Sequence, residues 1–317
     1  MNVREHLLAL TDELRRLKGE GGRTVVATDA SVEQLRRAVA SVRDELAQQS
    51  TGDRAPVAVV NAVEAEEAGA KTYSFAPQPQ PTRAAPPPPT VAPITAPLPV
   101  VALPEGDKQT QMTYLRALVE QNETCRAHLR PGKQLVMGVG SLDADIFFCG
   151  EAPGAEEELQ GEPFVGPAGQ LLTKMIQGMG LQREDVYIGN IMNWRPEMPV
   201  GAGGEQIGNR APTKAEMEFC LPFLRAQLAI VRPKIIVTLG ATATAGLLGA
   251  DSFRALGDVR GRWHEFDAIP LMVTYHPSYI LRNQSLRSKR QIWEDLLQVM
   301  ERAGRPISER QRGFFLS

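Results

Sequence analysis

"ADIFFCGEAPGAEEELQGEPFVG", residues Ala144 to Gly166, decides the fold. Its opening, "ADIFFC" (144–149), is a short apolar run rich in aromatic and β-branched side chains, the pattern of a strand buried on both faces. The chain then changes character at once. From Cys149 to Gly166 it carries five glutamates and four glycines in eighteen positions. A solvated acidic loop would account for that. A chemical reading needs partners delivered to the same place by other parts of the chain.

Three further runs repeat the strand pattern: "VYIGNI" (186–191), "KIIVTLG" (234–240) and "PLMVTYH" (270–276). A helix is expected over about Gln109 to Leu129, and helical patterns lie in "GQLLTKMIQGMG", "TKAEMEFCLPFLRAQLAIV", "ATATAGLLG" and "SKRQIWEDLLQVMERAG". Alternating strands and helices with near-continuously apolar strands predict an α/β fold. The expected architecture is a three-layer αβα sandwich around a central, mostly parallel four-stranded sheet, with right-handed crossovers.

That domain spans residues 106–317. Ahead of it, Val3, Leu7, Leu10, Leu14 and Leu17, then Val32, Leu35, Val39, Val42 and Leu46, alternate four- and three-residue steps. Residues 1–49 therefore read as a helical hairpin, too short for an autonomous coiled coil and suited to docking a protein partner. Residues 50–105, which include "APQPQPTRAAPPPPTVAPITAPLPV", read as a disordered proline- and alanine-rich linker.

Three cysteines (Cys125, Cys149, Cys220) are too few and scattered for a disulfide framework, and no stretch approaches the length of a membrane span. A cytoplasmic protein with a monomeric core is expected. The net charge of −2 says little, but its distribution says more. Residues 106–231 hold 11 Lys and Arg against 16 Asp and Glu, whereas 232–317 hold 13 against 8. Such a split can set a basic face beside an acidic pocket, unless the two halves interleave and cancel.

In an open α/β sheet, ligands bind beyond the carboxyl ends of the strands. Those ends carry "GEAPG", Asn190 in "GNIMNWRP", "LGATAT" and "YHPSYILRN". No "GK[ST]" follows the glycine turn and no G-x-G-x-x-G is present, so nucleotide cradles are excluded. No serine elbow or cysteine–histidine pair offers a nucleophile, and four histidines do not supply a hydrolytic metal set. What remains is carboxylate-plus-imidazole cleavage of a good leaving group through a cationic, sugar-like transition state.

"GEAPGAEEELQGEPFVGPAGQLL", "YIGNIMNWRP" and "TYHPSYILRN" resemble, in order and in spacing, the three signature blocks of the iron–sulfur (fourth) family of uracil-DNA glycosylases. The likeness runs from about Cys125 to Met300. It implies a DNA N-glycosylase that excises flipped-out uracil, in single- or double-stranded DNA, to initiate base-excision repair. It implies that Phe164 stacks on the base, that Asn190 reads its Watson–Crick edge, and that backbone around Gly150, Glu151 and Ala152 holds the pyrimidine. His276 would bond to uracil O2, and Glu157, with Glu151 as its rival, would orient water and stabilise the sugar cation. In "SYILRNQSLRSKR", Ile280 or Leu281 would wedge into the duplex while Arg282, Arg287, Lys289 and Arg290 touch phosphates. The plainer readings are Phe164 as core, His276 as a local cap and the basic stretch as a solvated helix start.

The chain departs from the family at its cluster. Where the family has four cysteines, the aligned positions hold Cys125, His128, Trp194 and Cys220. Trp offers no iron ligand, so the expectation is no 4Fe-4S cluster, with Trp194 filling its volume and Cys149 packed in the core. A second reading follows from that loss: a catalytically degenerate glycosylase fold kept to bind nucleic acid or a repair or replication partner.

Overall fold

The computed structural model describes residues 94, 96–199 and 206–316. The expected helical hairpin (1–49) and all but the end of the expected linker lie outside the described residues. Six strands form one sheet: β1 (Val139–Gly140), β2 (Ile146–Gly150), β3 (Tyr187–Asn190), β4 (Ile235–Leu239), β5 (Trp263–Phe266) and β6 (Ile269–Thr274), in the order β1-β3-β2-β4-β6-β5. The four strands read from the sequence are β3, β2, β4 and β6. They run parallel to one another. Two antiparallel edge strands complete the sheet, β1 against β3 and β5 against β6.

Every residue of β2, β3 and β4 is buried. Because successive side chains on a strand point to opposite faces, β2 feeds two cores. Phe147 and Cys149 pack with α1 (Lys108–Gln121) and with the long helix Lys214–Val231, whereas Ile146 and Phe148 pack with helices Pro167–Gly178 and Leu286–Arg302. This is the expected three-layer arrangement. In chain order the helices are α1, α2 (Glu123–Ala127), α3 (Ala155–Gln160), α4 (Pro167–Gly178), α5 (Lys214–Val231), α6 (Ala241–Leu248), α7 (Leu256–Val259), α8 (Pro277–Arg282), α9 (Leu286–Arg302) and α10 (Glu309–Arg312). Among the described residues, no helix is long and apolar enough to cross a membrane.

Two expectations need correction. The single helix expected over 109–129 is two, because Asn122 is extended (ψ 122) and its side chain accepts the Cys125 N–H at 3.0 Å, capping α2. The linker expected over 50–105 ends earlier than 105: Ile94, Ala96, Val101 and Leu103 pack on the core beside α1 and α5. Apolar side chains spaced between its last prolines find that surface to cover.

Register then positions the chemistry. Gly150 pairs with Asn190, Cys149 with Thr238 and Leu239 with Thr274, so the carboxyl ends of the four parallel strands are level. The chain leaves β2 for β3 on one side and later enters β4 on the other, which opens a crevice at the carboxyl ends of β2 and β4.

Candidate active site

The acidic loop after β2 resolves into carboxylates with different occupations. Glu157 lies in the first turn of α3. Its Oε2 accepts the Gly154 N–H (3.0 Å), and its Oε1 accepts those of Val165 and Gly166 (3.1 Å each). One side chain thus caps a helix and clasps the far end of the loop. Glu158 is 4% exposed, and its Oε1 accepts from Arg130 (2.7 Å) and Arg195 (2.8 Å), with the Lys133 ammonium at 3.8 Å. A buried carboxylate survives only with such partners. Glu151 is different. It stands half-buried at the β2–β4 crevice, where burial raises its pKa and a hydrogen bond from the Thr242 hydroxyl at the start of α6 partly opposes the rise.

The Glu157 clasp fixes Phe164. This residue is 6% exposed and sits at φ 55, a left-handed conformation that a bulky side chain rarely adopts. The backbone on both sides is held: Arg183 donates to the Pro163 carbonyl, and Glu157 holds the next two N–H groups. Gly169 in α4 comes so close that a Cβ there would lie 1.8 Å from the Phe164 carbonyl oxygen. The Phe164 ring is thereby pressed to the sheet edge. A Cβ on Gly150 would lie 2.4 Å from Phe164 Cζ and 2.4 Å from Asn190 Oδ1, so glycine is required for the two to converge. Asn190 is 5% exposed and its Oδ1 has no hydrogen-bond partner. A buried amide oxygen without a partner is costly and calls for a ligand or a functional reason.

His276 caps α8, with proline at the first helical position behind it. Its Nδ1 accepts the Ser278 backbone N–H at 3.2 Å and lies 2.9 Å from the Ser278 hydroxyl. The ring is parallel-displaced from Phe164, with centroids 5.7 Å apart and planes inclined by 30°. Burial, and then the positive charge of Arg282, push its pKa down to about 4. It is a neutral imidazole near pH 7.

Phe164, Asn190, Gly150 and His276 are therefore brought together, with Glu151 and half-buried Ala152 at the head of the same loop. Of the residues expected at a DNA surface, Leu281 is 42% exposed while Ile280, at 7%, belongs to the core. Arg282 and Arg287 are exposed and Lys289 is half-buried. Arg290 is engaged with Glu294 (2.8 Å) and with the Arg312 and Phe314 carbonyls, so it ties down the C-terminal segment. Sequence reasoning missed Thr242, Ser278 and Arg183. Only Ser278 had a local signal, as the residue after a histidine–proline helix start.

At the aligned cluster positions, His128 and Trp194 form an aromatic stack, and Cys125 and Cys220 are buried free thiols. Trp194 is fully buried and lies parallel to His128, with centroids at 4.8 Å and planes at 5°, and it packs on Phe219 at 6.2 Å. Burial pushes the Cys125 thiol up to about 12 and the Cys220 thiol well above its ordinary value. Iron–sulfur centres are held by four cysteine thiolates, and two cysteines beside an imidazole and an indole do not make up that set. Among the described residues, no group of three or more His, Cys, Asp or Glu could hold a metal ion.

Comparison with known proteins yields a consistent set. The family model for the uracil DNA glycosylase superfamily matches residues 137–297. The type-4 uracil-DNA glycosylase of Thermotoga maritima is 38% identical over 190 residues, 60% of this chain and 93% of the relative. That of Pyrobaculum aerophilum is 37% identical over 181 residues (55% and 87%), and that of Archaeoglobus fulgidus 38% over 186 residues (56% and 88%).

Proposed function

The chain belongs to the uracil DNA glycosylase superfamily, and from that premise we propose that it hydrolyses the N-glycosidic bond of uracil in DNA, initiating base-excision repair. The observation that carries the reading is the convergence of a partnerless amide oxygen, an aromatic ring on a left-handed backbone and a neutral imidazole at one sheet edge.

A base stacked in a duplex presents no path to its glycosidic bond, so uracil must be flipped out. Phe164 offers the stacking face, and Asn190 Oδ1 accepts the pyrimidine N3–H, which satisfies the oxygen left without a partner in the protein. As the bond breaks, negative charge grows on the uracil ring and positive charge on the sugar. The first needs a donor. Ser278 N–H can only donate, so His276 Nδ1 is an acceptor and the ring proton is on Nε2, available to uracil O2. A neutral N–H stabilises the anion without transferring its proton.

The sugar needs an anion and a positioned water. Both oxygens of Glu157 are engaged by backbone N–H groups, so we assign the water to Glu151, with Glu157 as the clasp that shapes the loop. Desolvation makes the Glu151 carboxylate a stronger base than an exposed one and strengthens its attraction to an oxocarbenium-like sugar. Leu281 fills the gap left by the base, while Arg282 and Arg287 bind phosphates. Residues 1–49, by their heptad pattern, dock a protein partner, and the glycosylase domain acts as a cytoplasmic monomer.

The test is incubation of the purified chain with an oligonucleotide carrying one uracil, followed by alkali. Strand scission at the uracil supports the proposal. An intact strand from correctly folded protein contradicts it.

A further inference from the structure

We infer that this glycosylase is metal-free, and that a buried aromatic stack replaces the iron–sulfur cluster of its family as the joint between three chain segments. The inference rests on family membership and on the side chains at the cluster positions, and is independent of the catalytic reading.

A four-thiolate cluster at these positions would join the α2 region, the segment after β3 and helix α5. In this chain the same three segments are joined by carbon and nitrogen. Trp194, after β3, stacks on His128 at the end of α2 and packs at a tilt of 60° against Phe219 on α5. The neighbouring residues extend the joint. Asn193 O accepts the Val136 N–H at 2.8 Å. Arg195 donates to Glu158 and to Asn209 (2.8 Å each) and to Gly208 O, so it ties in the segment that leads to α5. Arg210 donates to Glu197 O and pairs with Glu216 in the first turn of α5 (2.7 Å). Helix α5, strand β3 and the acidic loop are thus fixed to one another without a metal.

Only two of the four cluster positions, Cys125 and Cys220, keep a thiol, whereas a four-iron cluster takes four. A third position holds a fully buried indole whose Nε1–H has no hydrogen-bond partner. That group marks Trp194 as present for its volume and ring face, not for its polar atom. Phenylalanine at position 194 should therefore serve nearly as well, and even remove an unpaired donor. Alanine should leave a cavity at the joint.

The experiment uses the full chain, produced and purified without oxygen and then exposed to ferrous iron and sulfide under reducing conditions. The expected result is no protein-bound iron or acid-labile sulfide and no visible absorption. A stoichiometric cluster in the wild-type chain would overturn the inference. The second arm is thermal unfolding in the same buffer. Trp194→Phe should melt within a few degrees of wild type, and Trp194→Ala about 10 °C lower. If Trp194→Ala is too unstable to purify, the Phe variant still decides, because a large drop there would show that ring volume is not what the position supplies. A Trp194→Ala protein as stable as wild type would equally overturn the claim that the stack is the joint. None of these readouts depends on uracil excision. A metal-free, stack-dependent protein that fails to cleave uracil DNA would refute the catalytic proposal alone.

Discussion

The backbone N–H of Ser278 donates to Nδ1 of His276 at 3.2 Å, and this contact fixes the imidazole as an acceptor on one side and a donor on the other. A helix cap and an electrophile are thus the same side chain. With its pKa held near 4, His276 carries no charge over the range in which DNA is stable and substrates are bound.

Removing that donor tests its role. His276→Ala should lower the single-turnover rate of uracil release by about 10²–10³-fold, the usual loss for one donor to a developing anion. Affinity for uracil DNA should fall far less. An unchanged rate would remove His276 from the mechanism.

The same ring bears on stability. Its folded pKa of about 4 lies below the 6.5 of an unfolded chain. Between those values the unfolded chain binds a proton that the folded chain refuses. The contribution is therefore complete above pH 6.5 and lost as pH falls toward 4, by about 3 kcal/mol. Asp295, raised by burial to about 6, slopes the opposite way over the lower part of this range. The informative measurement is thus His276→Asn against its parent at each pH. The gap between them should narrow by pH 4.5, and a constant gap would contradict a depressed His276.

Two glutamates six residues apart should behave oppositely. Glu151→Gln should slow the chemical step by at least 10²-fold and leave the melting temperature near that of the parent. Glu157→Ala should lose about 1–3 kcal/mol of stability, because it leaves three N–H groups without an acceptor, and it should weaken substrate binding by freeing Phe164. Kinetics and melts of both variants check this. Reversed effects would return the water to Glu157.

Gly150 is the tightest point of the site. A methyl group there collides with both Asn190 and Phe164. Gly150→Ala should abolish uracil excision while circular dichroism retains the αβ signature. Substantial activity would mean that the two side chains are not held where the pocket requires them.

Much of this was legible in the sequence. The four parallel strands are near-continuously apolar because both faces are covered, and the rule that ligands sit beyond strand ends brought the acidic loop, Asn190 and His276 to one site, with Phe164 added by the family resemblance. The edge strand β5 was not legible. Its hairpin to β6 turns through Asp267 and Ala268, at φ 47 and 61, positions where asparagine–glycine would have signalled a turn. Glu157 was hard to read for a different reason. In a run of three glutamates, nothing local separates a capping carboxylate from one aimed at solvent or substrate. Thr242 reaches Glu151 only across the β2–β4 crevice, a contact that exists only in three dimensions.

Neighbours on α8 also part company. Ile280 is buried in the core and Leu281 is 42% exposed. Ile280→Ala should cost about 2–5 kcal/mol of stability. Leu281→Ala should leave the melt unchanged and reduce activity on duplex DNA more than on single strands, where no gap needs filling. Equal effects on both substrates would exclude Leu281 as the wedge.

The most direct measurement of the central claim is the amount of free uracil released in a single turnover from an oligonucleotide with one uracil, by the wild-type chain and by His276→Ala side by side. The account predicts near-stoichiometric uracil from the wild type and a rate about 10²–10³-fold lower from the variant. No uracil from folded wild-type protein, or equal rates from both, would contradict it.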